Sequence, residues 1–260
     1  MSFLASLFTA FAMYSKIPVP QLDWDRKHLR YAIGLFPLVG AVIGALSYAF
    51  VYFTRQLEPS LAGFPRAAVF ALISLLISGG IHVDGYLDTS DALSSFGERE
   101  KKLQILSDPH IGSFAVIRLL CYYLPLLAAY ALLEDLTSWL LCSAGFYLSR
   151  ILSGTASTWC KSATKEGTLF TFTDNAQKTG VRLILALQLV ICIVFMVYVN
   201  PFQAAFVIGA NALLCIWWRH TVYSNFGGIT GDTAGFLSTL SEGATAVALA
   251  VSLWFPGFKV

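Results

Sequence analysis

The chain has 260 residues, 57% of them hydrophobic and only 12% charged, with a formal net charge of +2. Soluble domains carry about 25% charged residues, so this composition cannot cover a water-facing surface and excludes a soluble globular protein. An aromatic content of 14% excludes intrinsic disorder, and so small a net charge offers no grip on nucleic acid.

The composition is that of an all-α, polytopic membrane protein. In chain order, Phe3, Leu7, Phe11 and Tyr14 recur at helical spacing, which predicts a short helix lying in the interface, re-entrant, or packed against the bundle. Pro18-Val19-Pro20 ends it, and the first basic residue, Lys16, follows the apolar run, unlike the order in a signal peptide. A spanning helix needs roughly 20 mostly apolar residues. Such stretches lie at about 32–54, 63–81, 113–133, 138–157, 181–199, 201–218 and 235–255, with a tight turn expected at Val199-Asn200-Pro201. No strand alternation of the outer-membrane kind is present. Seven spans leave twelve basic residues on one side: Lys16, Arg26, Lys27, Arg30, Arg99, Lys101, Lys102, Lys161, Lys165, Lys178, Arg182 and Arg219. The other side holds Arg55, Arg66 and Lys259, so the loops 82–110, 158–180 and 219–234 are expected in the cytoplasm. The five cysteines have no metal-type pairing and read as packing residues. No linker or repeat divides the chain, which predicts one domain over 1–260.

Where charges are scarce, the placement of each acid is informative. In Gly79-Gly80-Ile81-His82-Val83-Asp84-Gly85-Tyr86-Leu87-Asp88-Thr89-Ser90-Asp91, three carboxylates stand at i, i+4 and i+7. At about 100° per residue they share one helical face. Carboxylates that close repel one another unless a cation sits among them, and oxygen ligands without Cys favour Mg²⁺ or Mn²⁺ over zinc. A solvated acidic turn is the plainer alternative. His82 lies about 200° from Asp84 on the same wheel, and contact with substrate or metal and a hydrogen-bonded place in the interface are both open to it.

A second cluster, Gly227-Gly228-Ile229-Thr230-Gly231-Asp232-Thr233, permits close backbone approach and a cradle of N–H groups for phosphate. Asp232 or Thr233 would serve equally as an ordinary helix N-cap. Asp108, before the third span, either adds a carboxylate or caps a helix. Arg150, inside the fourth span, requires a partner. It either holds a pyrophosphate bidentately or pairs with an acid such as Glu242. Bound divalent metal and basic residues at a membrane surface suit cleavage of a nucleoside diphosphate linkage, with one Asp taking the proton of an attacking hydroxyl.

These residues also carry a resemblance. Gly79 to Asp91 resembles the G-G-x-H-x-D-G-x-x-D-x-x-D signature of the cobalamin (5′-phosphate) synthase family, the adenosylcobinamide-GDP ribazoletransferases. Lys16-Ile17-Pro18-Val19-Pro20, Phe36-Pro37-Leu38-Val39-Gly40, Asp108-Pro109-His110-Ile111-Gly112, Ser149-Arg150, Lys165-Glu166-Gly167 and the Gly227 to Thr233 segment agree in order along most of the chain. The departures are Lys16 for Arg and Pro109-His110 for Ser-Arg. Membership implies Mg²⁺-dependent transfer of the adenosylcobinamide-phosphate moiety from adenosylcobinamide-GDP to α-ribazole or its 5′-phosphate, with release of GMP. It also implies a prokaryotic cytoplasmic (inner) membrane, with membrane lipid around the chain and no nucleic acid; a homo-oligomer is compatible with it.

The candidate residues are then Asp84, Asp88, Asp91, Asp232 and His82 for catalysis. Arg150, Lys16, Gly228, Gly231, Thr233 and Lys165 are the candidates for substrate binding. Asp84, Asp88, Asp91, Asp232 and Asp108 are those for the metal. Two rivals differ in signature. A CDP-alcohol phosphotransferase requires an Asp three residues before Asp84 and an Ala-Arg after it, and neither is present. An ion-coupled transporter places its acids near the midplane, whereas these gather at one membrane surface.

Overall fold

The computed structural model describes residues 2–22 and 26–255. Lys259 therefore lies outside the described residues. The chain begins with α1 (Ser2–Tyr14), two short turns α2 (Arg26–Leu29) and α3 (Ala32–Leu35), and α4 (Pro37–Leu57). Then come α5 (Phe64–Ser78), α6 (Ile81–Ser94), α7 (Arg99–Ile105) and α8 (Ser113–Ala131). The remainder is α9 (Leu136–Trp159), α10 (Thr168–Asn175), α11 (Lys178–Val199), α12 (Pro201–Phe226) and α13 (Gly231–Ser252). Helix starts follow their side chains. Asp135 accepts from the Ser138 amide at 2.7 Å, and Asn200 accepts from the Gln203 amide at 3.0 Å ahead of Pro201. The expected turn at Val199-Asn200-Pro201 is thus the α11–α12 junction.

Five of the seven expected spans meet the length and hydropathy of a membrane crossing as single segments. Among the described residues, five segments are long and apolar enough to cross a membrane: 32–57, α8, α11, α12 and α13. The pair α5 and α6 qualifies only as a unit, and it is bent by 95°. The cause is local. Gly79 and Gly80 both adopt left-handed backbone, at φ 65° and 78°, which only glycine takes up twice in succession without strain. Helix α6 therefore leaves the direction of α5 at the end of the expected second span, 63–81.

The expected fourth span is α9, 24 residues long, or about 36 Å of helix. Its buried faces carry Ser138, Ser143, Ser149, Arg150, Ser153 and Ser157, which lowers its apolar character. It is the central helix, packed against α4, α11 and α13. Small residues let these backbones close up. A Cβ at Gly40 would stand 2.2 Å from the Phe146 carbonyl oxygen, and one at Gly44 would stand 2.3 Å from that of Ser143. Side-chain amides tie the interior: Gln188 donates to the Gly34 carbonyl at 2.7 Å and Gln203 to Ser138 Oγ at 2.7 Å. The N-terminal helix α1 packs on α2 and α3, with Ala10 buried beside Leu29, Ile33 and Phe172. The segments 79–91 and 227–233 meet where α6 crosses the start of α13.

Candidate functional site

The site begins at the crossing of α6 and α13. Gly85 of α6 lies against the start of α13 so closely that a Cβ there would stand 2.8 Å from the Asp232 carbonyl oxygen. Thr239 Oγ1 donates to the His82 carbonyl at 2.9 Å, which pins the first turn of α6 to α13. The start of α13 is a reciprocal cap: the Thr230 amide donates to Thr233 Oγ1 at 2.8 Å, and the Thr233 amide to Thr230 Oγ1 at 3.2 Å. The cap is Thr230 rather than Asp232, so the Asp232 carboxylate is left to the site. The loop before it is braced by 161–163. The Ile229 amide donates to Lys161 O at 2.9 Å and the Ala163 amide to Ile229 O at 2.8 Å. Gly228 is required by that approach, since a Cβ would stand 2.5 Å from the Lys161 carbonyl oxygen.

These contacts enclose a cavity of about 550 Å³. Asp84 and Asp232 face it from two helices, with Thr230, Gly231, Ser162 and Glu166 around them. Its other wall is aromatic and apolar. Tyr14, Phe36 and His82 line it, and the Phe36 and His82 rings stack at 5.4 Å and 19°. The His82 ring is buried and neither of its nitrogens has a hydrogen-bond partner among the described residues.

The helix α6 runs unbroken from Ile81 to Ser94, so Asp84, Asp88 and Asp91 do share a face. Asp88 stands further along it than the cavity lining. Burial first, then Asp84, Asp232 and Asp91, push its carboxyl up to about 6, which places the four acids within electrostatic reach of one another. Asp91 lies against Gly112, where a Cβ would stand 2.1 Å from its Oδ1. Among the described residues, no three His, Cys, Asp or Glu side chains converge as a ready-made metal cage.

The remaining candidates stand elsewhere. Arg150 does not line the cavity; its Nη1 donates to Glu242 Oε1, and to Ser149 Oγ at 2.8 Å. The pairing alternative is the geometry observed. Thr233 is buried and engaged in the cap, and Gly228 is engaged by the 161–163 loop. Lys16 is exposed, its stem lying over Gly79, and Lys165 is exposed at the rim between Thr164 and Glu166. Asp108 is exposed and accepts from the His110 amide at 2.9 Å, which holds its carboxyl below the usual range. It is not one of the acids acting on Asp88. Conversely, Tyr14, Phe36, Ser153, Ser157 and Glu166 line the cavity without having been singled out. Phe36 and Glu166 were signalled only by lying inside matched motifs.

Comparison with known proteins decides the family. The family model described as cobalamin-5-phosphate synthase matches residues 6–250. The chain belongs to the cobalamin-5-phosphate synthase family. It is 41% identical to an adenosylcobinamide-GDP ribazoletransferase of Lachnoclostridium phytofermentans over 97% of this chain and 95% of that protein. A Pseudomonas fluorescens (strain Pf0-1) protein of the same name is 34% identical over 83% of this chain and 86% of its own. One from a Geobacillus species is 31% identical over 84% and 85%. No solved structure matches. This synthase is accordingly a transferase of cobalamin synthesis, built as a multi-pass membrane protein.

Proposed function

We propose that this synthase transfers the adenosylcobinamide-phosphate moiety of adenosylcobinamide-GDP to a ribose hydroxyl of α-ribazole or α-ribazole 5′-phosphate. The observation that carries the reading is the pair Asp84 and Asp232, set on different helices and facing one cavity of about 550 Å³. The acceptor oxygen forms a bond to the cobinamide-side phosphorus, the P–O bond to GMP breaks, and GMP leaves. An ionised carboxylate of the set Asp84, Asp88, Asp91 and Asp232 takes the hydroxyl proton. Mg²⁺, or Mn²⁺ in its place, held by Asp84 and Asp232 with Asp88 and Asp91 behind them, would supply charge neutralisation to the diphosphate. The like-charge crowding at Asp88 supports a cation there. The aromatic wall of Tyr14, Phe36 and His82 offers flat apolar surface to a base and excludes water from the reacting groups. The site lies on the side that carries most of the basic residues, which supports an active site opening to the cytoplasm at the prokaryotic inner membrane.

The test is to incubate purified protein with adenosylcobinamide-GDP, α-ribazole 5′-phosphate and Mg²⁺ and to measure GMP. Asp84→Asn and Asp232→Asn should each lower the rate at least about a hundredfold. Chelator should mimic them in wild-type protein, and Mg²⁺ or Mn²⁺ should restore it. Near-normal, metal-dependent turnover in both variants would sink the assignment. For orientation, Glu100→Cys should resist an impermeant thiol reagent in intact cells.

A further inference from the structure

His82 carries two polar atoms that the fold itself does not satisfy. The residue is 6% exposed, and neither ring nitrogen has a hydrogen-bond partner among the described residues. Buried polar atoms in folded proteins meet protein, ordered water or a ligand, because an unmade hydrogen bond costs more than a made one contributes. Rearrangement of the ring is restricted. Thr239 Oγ1 donates to the His82 carbonyl at 2.9 Å, and a Cβ on Gly235 would stand 3.4 Å from His82 Cα, so α13 fixes the backbone. Phe36 stacks on the imidazole at 5.4 Å and 19°, and Tyr14 at 6.2 Å and 22°. A ring whose plane is set by stacking offers its hydrogen bonds at the edge. Two cavities adjoin it. Among the described residues, His82 alone lines both the main cavity and a cleft of about 10 Å³ with Ser74, Ser78, Tyr123 and Glu242 in its walls. Those walls are polar, and the cleft has room for roughly one water molecule.

We infer that one His82 nitrogen is met by a water in the cleft, and that the other hydrogen-bonds a sugar hydroxyl of the acceptor nucleoside, the neighbour of the hydroxyl that reacts. The inference rests on the transfer reading above. A base laid flat on the wall of Tyr14 and Phe36 brings its sugar to the edge of that wall, where a polar group of the protein is wanted. An acceptor that reacts whether or not its 5′ position carries phosphate does so through one of the two adjacent ring hydroxyls of ribose, and the other is free. A neutral imidazole has one donor and one acceptor nitrogen, and a hydroxyl complements either. The reacting hydroxyl is directed to Asp84 and Asp232, which line the same cavity. His82 is thereby a residue that selects and orients the acceptor, with proton transfer left to the carboxylates.

The experiment measures kcat/KM for α-ribazole and for its analogue lacking the non-reacting ring hydroxyl, at saturating adenosylcobinamide-GDP, in wild type and in His82→Phe. Wild type should prefer the full acceptor about tenfold, roughly the worth of one hydrogen bond to a buried group. His82→Phe keeps a flat ring against Phe36 and loses both nitrogens. It should lower kcat/KM for the full acceptor about tenfold and leave the analogue within about twofold, so that the preference disappears. The donor KM should stay within about twofold. A preference retained in His82→Phe, an equal loss with both acceptors, or a raised donor KM assigns the residue to packing or to the donor and overturns the inference. Should His82→Phe fail to fold, wild-type protein decides by equilibrium dialysis without donor: tighter binding of the full acceptor supports the contact, and equal binding of the two overturns it. Dialysis needs no turnover, so absence of GMP release in wild type would refute the transfer reading while leaving the His82 contact tested.

Discussion

Arg150 of α9 and Glu242 of α13 form an ion pair in the bundle interior, with side chains 1% and 13% exposed. Buried charges that lose a partner cost far more than the pair contributes, because the remaining charge stays desolvated. Arg150→Met should therefore lower stability by about 3–5 kcal/mol, and Arg150→Met/Glu242→Leu should recover most of it. Thermal unfolding in detergent measures both. Since Arg150 does not line the main cavity, Arg150→Lys should lower the melting temperature and leave the KM for adenosylcobinamide-GDP within about twofold. A raised KM with unchanged melting would show the guanidinium on substrate instead.

Two glycines make a steric contrast. A Cβ at Gly85 would stand 2.9 Å from Asp232 Cα, so Gly85→Ala must part α6 from α13, at a cost of about 1–3 kcal/mol. It should also slow turnover by separating Asp84 from Asp232. A Cβ at Gly231 would find its nearest neighbour, Leu169 Cβ, at 3.9 Å, so Gly231→Ala should melt like wild type. Lost activity there would report the approach of a ligand. Wild-type kinetics and melting in Gly85→Ala would refute the crossing described above.

The crowding at Asp88 has a pH signature. Its carboxyl is raised from 3.8 to about 6, so the folded state holds that proton more tightly than the unfolded state. Stability from this group is present below the unfolded value and is lost as pH rises through about 6. With chelator present, Asp88→Asn should flatten the decline in melting temperature between pH 4 and pH 6, and Mg²⁺ should offset it in wild type. Identical slopes for wild type and Asp88→Asn would remove Asp88 from the acidic set.

The cap on α13 separates structure from chemistry at Thr233. Thr233→Val deletes the hydroxyl that accepts from the Thr230 amide and should cost about 1 kcal/mol, while Thr233→Ser keeps it. Both should leave the KM values close to wild type. A large KM effect in Thr233→Ser would restore the substrate contact that its motif suggests.

Much of this molecule is readable along the chain, because the relevant physics is local. Transfer of apolar residues into hydrocarbon is additive along a segment, so 32–57, α8, α11, α12 and α13 declare themselves as spans. The common face of Asp84, Asp88 and Asp91 is a property of helical pitch alone, and the Pro201 start of α12 follows from one side chain and one ring. The two Gly and Asp motifs, through their resemblance, carried the family as well.

Other features required contacts between distant residues. Hydropathy could not tell that α9 is central, because a Ser or Arg counts against a span whether it meets lipid or a neighbouring helix. Arg150 had two chemically sound partners, and the packing of α9 on α13 chose Glu242. Thr233 and Asp232 were equal candidates for the cap until Thr230 closed the box. Nor could spacing show that Tyr14 and Phe36 share a wall with His82, since residues so far apart in the chain meet only where helix packing brings them. The sequence by itself determined which segments are apolar enough to cross a membrane and which acids share one helical face. Tertiary structure decided which of those charges neutralise one another and which are left facing a cavity, because that depends on desolvation by neighbouring helices rather than on position along the chain.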